Sequence, residues 1–142
     1  MSNSPRVLIV EDQYFVAVDC ELQLRSAGID CVGLATTAAE ALDIAEREHP
    51  DFALMDIRLA SVADGVEAAI VLYERFGIRC IFASAHADAA TRKLAERAHP
   101  LGWLDKPYTG GQLVSTVREC LAVLGSAATE ASGAASSTHA LH

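Results

Sequence analysis

Three carboxylates, one hydroxyl and one ammonium group stand at the ends of short apolar runs in this 142-residue chain. Glu11 and Asp12 follow RVLIV, Asp56 closes FALMD, Ser84 closes RCIFAS, and Lys106 follows LGWLD. If these runs are parallel strands, their ends meet on one edge, because such sheets hold ligands outside their carboxyl ends. Any one of these residues reads equally well as a solvated strand end; all five on one edge point to a site. Three close carboxylates raise one another's pKa unless a cation joins them. Oxygen ligands suit a hard ion such as Mg²⁺, and no nearby His/Cys set suits zinc. A hydroxyl and an ammonium around a metal-bound carboxylate make a cradle for a phosphoryl group carried on that carboxylate.

The surrounding sequence supplies elements able to position these groups. RVLIV is a continuous apolar, β-branched run, as expected of a strand buried on both faces. Val16, Cys20, Leu24 and Ala27 then recur at helical spacing, with Gly28 placed to end the helix. DCVGLA reads as a second strand, and Ala38, Ala41, Leu42 and Ala45 mark a helix that stops near His49–Pro50. FALMD is the third strand. A loop with Ser61, Asp64 and Gly65 follows, then a helical pattern through Val66, Ala69, Ile70 and Tyr73 that ends before Gly77. RCIFAS is the fourth strand, and a helix over residues 87–97 leads to a stop at His99–Pro100. LGWLD is the fifth strand, and Leu113, Val117, Leu121 and Leu124 line the last helix. Five strand–helix alternations require crossover units and a parallel sheet covered on both faces, a doubly wound α/β domain.

Composition bounds the remaining options. Half of the residues are apolar and the net charge is −8, which disfavours nucleic acid and anionic membranes and favours cations or basic partners. Cys20, Cys31, Cys80 and Cys120 lack metal-site spacing and read as reduced, mostly buried thiols of a cytoplasmic protein. No signal peptide or membrane span is expected. Residues 125–142 are rich in Ala, Ser, Gly and Thr and read as a disordered tail, with extension of the last helix as the alternative. The expected organisation is one folded domain over residues 1–124 followed by that tail.

Together these motifs, in this order, resemble the receiver (phosphoacceptor) domain of two-component response regulators, over residues 6 to about 124. The resemblance implies a flavodoxin-like (βα)5 fold with strand order 2-1-3-4-5. It places Glu11 and Asp12 as the acidic pair that helps bind Mg²⁺, with Mn²⁺ as a substitute, and Asp56 as the phosphorylated aspartate. It also implies that the backbone carbonyl of Arg58 coordinates the ion and that the backbone N–H of Ala85 contacts the phosphoryl group. Ser84 and Lys106 match the hydroxyl and ammonium that stabilise the phosphoryl oxygens, and Ser84 with Trp103 match the positions that move on activation. The Lys106–Pro107 bond matches a peptide bond that is commonly cis. The implied protein is a single-domain, cytoplasmic switch that catalyses its own aspartyl phosphorylation and dephosphorylation. Its implied partners are a histidine kinase or histidine phosphotransfer protein and a downstream protein target, met as a monomer or a phosphorylation-dependent dimer. If the chain is part of a larger regulator or hybrid kinase, the output is set elsewhere.

Three positions depart from the commonest pattern. The acidic pair is Glu–Asp rather than Asp–Asp, the loop ASVADG lacks its usual proline, and Trp103 stands where Tyr or Phe is usual. Arg58 and His86 flank the site, His49 and His99 read as turn residues, and Arg92, Lys93 and Arg97 read as a solvated helix face. The rival readings are a phosphorylation-independent module, a phosphatase with a carboxylate nucleophile, and a flavin-binding relative. The complete acidic pair, with Asp56, Ser84 and Lys106, argues against the first. Arg58 stands where the second would place its acid/base carboxylate, and the third lacks a phosphate-cradling loop after the first strand.

Overall fold

The computed structural model describes the backbone of residues 4–59 and 62–140, and the side chains of residues 4–59 and 64–125. Five strands, β1 (Arg6–Val10), β2 (Asp30–Ala35), β3 (Phe52–Asp56), β4 (Arg79–Ser84) and β5 (Gly102–Asp105), form one parallel sheet in the order β2-β1-β3-β4-β5. Between and after them run α1 (Tyr14–Ser26), α2 (Ala38–Glu48), α3 (Val62–Phe76), α4 (Ala89–Ala95) and α5 (Gly110–Ala140). This is the doubly wound (βα)5 architecture.

The continuous apolar strands are explained by two cores. Side chains alternate across a strand, so Val7 and Ile9 of β1 face α1 and α5 while Leu8 and Val10 face α2 and α3. In β3 the same alternation sends Phe52 and Leu54 to the first core and Ala53 and Met55 to the second. With both faces covered, polar residues are confined to the strand ends, and the carboxyl ends of β1, β3, β4 and β5 carry the site.

Local signals fix where the helices begin and stop. Thr37 caps α2 by accepting from the Glu40 N–H at 3.1 Å, and Asp88 caps α4 by accepting from the Thr91 N–H at 2.7 Å. Thr109 and Gln112 make a reciprocal capping pair at the start of α5, the Gln112 N–H donating to Thr109 Oγ1 and the Thr109 N–H to Gln112 Oε1. His49 and His99 adopt left-handed backbone (φ 48° and 50°) just after α2 and after the short 3₁₀ turn Glu96–Ala98 that continues α4. A proline follows each and prevents resumption of the helix.

Three boundaries differ from the sequence expectation. Asp64 and Gly65 lie inside the first turn of α3 rather than in a loop, and Ser61 lies outside the described residues. The reason is tertiary: a Cβ on Gly65 would collide with the carbonyl group of Ile57 and come within 2.8 Å of the Asp56 carbonyl oxygen. Gly65 therefore lets the start of α3 press against the backbone that carries Asp56. Gly110 and Gly111, a glycine pair of the kind that in sequence marks a turn, open α5 instead. Finally, the α5 backbone remains helical to Ala140, across the segment whose composition reads as a disordered tail. Alanine, the best helix former, favours this course.

Candidate functional site

Glu11 follows β1 directly, with its N–H bonded to the Ala35 carbonyl at 2.9 Å. This tie to β2 holds the residue at the sheet edge, where its side chain is almost fully buried. Its Oε2 accepts from the Gln13 N–H at 3.1 Å. Asp12 is exposed beside it. Asp56 ends β3 and is only 5% exposed, which answers how a carboxylate terminates a buried strand: it sits in a polar recess at the sheet edge. The backbone turns sharply after it, and the Arg58 N–H donates to Asp56 Oδ1 at 3.1 Å.

Lys106 reaches across the edge from the end of β5. Its Nζ lies 3.1 Å from Asp56 Oδ1 and 3.6 Å from Glu11 Oε1. The Lys106 N–H donates to the Ser84 carbonyl at 2.7 Å, which fixes the lysine to the end of β4. Ser84 itself is buried, and the Lys106–Pro107 bond is cis. Ala85 is exposed at the mouth, beside Arg58 and His86 in a small cavity of about 130 Å³ that also touches Ser84 and Thr91. The structure thus gathers Glu11, Asp12, Asp56, Ser84, Ala85 and Lys106 around one recess.

Carboxylate oxygens of Glu11, Asp12 and Asp56 all lie within 4.8 Å of one another. Hard oxygen donors in this arrangement fit a cation such as Mg²⁺. The electrostatics agree. Burial pushes the Glu11 carboxyl up to about 7, aided by its neighbours Asp12 and Asp56, while the Gln13 N–H and Lys106 pull the other way. Three carboxylates facing the Lys106 ammonium leave negative charge in excess of positive here.

A second cavity of about 620 Å³ opens between α1 and the segment after β5, with Glu11, Phe15, Cys20, Lys106 and Tyr108 among its lining. Cys20 Sγ and Tyr108 Oη lie 3.1 Å apart and tie these two elements together. Burial raises the pKa of both groups, so they form a neutral wall beside the charged edge. The described cysteines are free thiols, buried except for the half-buried Cys31.

A family model for the response regulator receiver domain matches residues 7–118. The chain belongs to this family. Among curated relatives, the phyllosphere-induced regulator PhyR of Methylorubrum extorquens is 30% identical over 116 residues, covering 81% of this chain and 43% of that protein. The transcriptional regulatory protein PdtaR of Mycobacterium tuberculosis is 33% identical over 134 residues, covering 87% of this chain and 63% of that protein. The receiver chain therefore spans less than two thirds of the length of either. Among solved structures, the receiver domain of a modulated diguanylate cyclase from Desulfovibrio desulfuricans superposes with a TM-score of 0.77 at 34% identity, covering 87% of this chain and 98% of that one. The response regulator PhyR from Brucella abortus gives a TM-score of 0.74 at 31% identity, over 96% and 53% of the two chains. Among the described residues, no helix of this receiver domain is long and apolar enough to cross a membrane.

Some contacts of the receiver domain were not legible in its sequence. Arg92, read there as part of a solvated face, places its guanidinium 4.4 Å from the Trp103 ring centroid. The partners are on different elements and no spacing rule relates them. The Cys20–Tyr108 contact is hidden for the same reason. The close backbone approach at Gly65 left one trace, the glycine itself.

Proposed function

We propose that Asp56 accepts a phosphoryl group from a phosphohistidine on a histidine kinase or phosphotransfer protein, and that the domain then signals by protein contact. The observation that carries this reading is the buried Asp56 carboxylate, paired with Lys106 at 3.1 Å and with two further carboxylates gathered within 4.8 Å. An Asp56 oxygen attacks phosphorus, the P–N bond to the donor imidazole breaks, and the imidazole leaves with that electron pair. Lys106 and the Ser84 hydroxyl stabilise the phosphoryl oxygens, and the Ala85 N–H adds a third donor. Glu11, Asp12, Asp56 and the Arg58 carbonyl would hold Mg²⁺, with Mn²⁺ as a substitute. Such an ion supplies positive charge that screens the carboxylates from the incoming phosphoryl oxygens. Attack of water on phosphorus later returns the free carboxylate and inorganic phosphate, so the domain takes part in both directions of its own switching.

The surfaces suit two separate encounters. Phe15 on α1 is 85% exposed and lines the larger cavity, and Leu22 is exposed two turns further along the helix. Together they offer the phosphohistidine protein an apolar foothold that begins beside Glu11 and Lys106. The face of α4, β5 and α5 serves the downstream protein target, as a monomer or a phosphorylation-dependent dimer, in the cytoplasm and without direct nucleic-acid contact. Incubation with acetyl phosphate or phosphoramidate and Mg²⁺, read by intact mass, tests the proposal. A gain of about 80 Da in the native protein and none in Asp56→Asn is expected. Repeated absence of label under conditions that preserve an acyl phosphate, with metal binding established, refutes it.

A further inference from the structure

Trp103 is the only tryptophan of the chain, and its ring is held from two sides. Phe82, its registered cross-strand partner on β4, lies 4.9 Å away between ring centroids at 31°. From α4, the Arg92 guanidinium lies over the ring at 4.4 Å. The two β-strand partners are fixed by the sheet. Arg92 is not: it rides on a helix of only seven residues, Ala89–Ala95, reached through the exposed segment 85–86 that leaves Ser84. The residue before it, Thr91, lines the small cavity shared with Arg58, Ser84 and His86. Consecutive residues of α4 therefore touch the small cavity at the end of β4 and the tryptophan.

We propose that Arg92 is a positioning residue that clamps Trp103 against Phe82 in the resting protein, and that this clamp sets how far Trp103 responds when the site at Asp56 is filled. The first half stands on the ring contacts alone; the second rests on the phosphoacceptor reading. An aromatic side chain that changes rotamer must leave both neighbours, and Arg92 is the one that a moving α4 can withdraw. A cation–π contact at an exposed site changes the equilibrium it biases about two- to fivefold. That is enough to set how much of the protein holds Trp103 in place before any phosphoryl group arrives.

The test uses Trp103 fluorescence, its emission maximum and its quenching by acrylamide, in wild type, Arg92→Ala, Arg92→Met and Arg92→Lys. Without any phosphodonor, Arg92→Ala and Arg92→Met are expected to shift emission to the red and raise the quenching constant. Arg92→Lys, which keeps the cation, restores most of the wild-type signal. With beryllofluoride and Mg²⁺ as the phosphoryl analogue, wild-type Trp103 moves toward the Arg92→Ala value, and Arg92→Ala itself changes less. Resting spectra of Arg92→Ala and Arg92→Met that superpose on wild type overturn the clamp, as does an Arg92→Lys protein indistinguishable from Arg92→Met. Intact mass after acetyl phosphate treatment is read on the same samples. Labelled Asp56 with an unmoved Trp103 overturns the coupling, whereas failure to label refutes the phosphoacceptor reading and leaves the resting-state comparison to decide the clamp.

Discussion

Glu11 offers the sharpest quantitative handle on the site. Its carboxyl is pushed from an ordinary 4.5 to about 7 by burial and by the neighbouring carboxylates. A folded-state pKa above the unfolded one means that the native protein binds the proton more tightly. The associated stability is fully present below about pH 4.5 and is lost as pH rises through about 7. At about 1.4 kcal/mol per pH unit, the gap between 4.5 and 7 sets an upper limit of about 3 kcal/mol. Water at the open mouth of the recess screens the charge, so about 2 kcal/mol is the expected loss between pH 5 and pH 8.5. Glu11→Gln keeps the shape and a carbonyl oxygen for the Gln13 N–H but cannot titrate. Urea denaturation of both proteins across this range cancels every other titrating group to first order. The wild type is expected to lose stability relative to Glu11→Gln as pH rises, and added Mg²⁺ to recover more of it at pH 8 than at pH 6, because a ligating carboxylate must first release its proton. Parallel pH profiles for the two proteins would falsify the reasoning, since they would mean that Glu11 titrates as an ordinary solvated carboxyl.

Lys106→Met removes the cation that lies 3.1 Å from Asp56 and 3.6 Å from Glu11. It is expected to destabilise the metal-free protein by about 1–3 kcal/mol at pH 8, with a smaller loss at pH 5, where Glu11 is protonated; equal losses at the two pH values would count against the ion pairs as the cause. Gly65→Ala places a methyl group against the Ile57 and Asp56 carbonyls and should cost about 1–3 kcal/mol in denaturant unfolding. Gly125→Ala, at a helical position with nothing within 4 Å of the added Cβ, should instead raise stability or helicity by up to about 1 kcal/mol. A flat response at Gly125 would argue that α5 does not persist as a helix beyond Leu124 in solution.

What the sequence makes legible follows from the physics of a parallel sheet. Strands buried on both faces must be written as unbroken apolar runs, so RVLIV, FALMD and RCIFAS announce themselves, and the polar residue that ends each run marks the carboxyl edge. The site residues inherit that legibility because they are strand ends. What depends on contact between distant elements is not written in any local pattern. Asp64–Gly65 carries the composition of a turn, yet it lies in α3, because the pressure on Gly65 comes from the Ile57 backbone and not from its own neighbours. Arg92 belongs to a basic cluster on an exposed helix, and only the placement of α4 over β5 brings it to Trp103. The segment after Leu124 was ambiguous for a different reason. Alanine favours helix while serine and glycine do not, and no apolar stripe decides between them.

The charge arrangement would link a proton, a cation and a phosphoryl group at this edge. Glu11, Asp12 and Asp56 set three carboxylates against the single ammonium of Lys106, and two of the three are buried. Without a further cation a proton relieves the crowding, and Glu11, raised to about 7 by burial and its neighbours, can take it near neutral pH. A dication in the same place neutralises the set without using Glu11's proton, so proton and metal compete for one carboxylate. Phosphorylation replaces the Asp56 charge by a group carrying roughly one more negative charge, which a site already negative repels and a metal-filled one tolerates. Lowering the pH should therefore slow labelling of Asp56 mainly by weakening metal binding, and saturating Mg²⁺ should remove most of that dependence. In Glu11→Gln the dependence through pH 7 should be absent at any metal concentration, which separates the Glu11 proton from protonation of the phosphodonor itself.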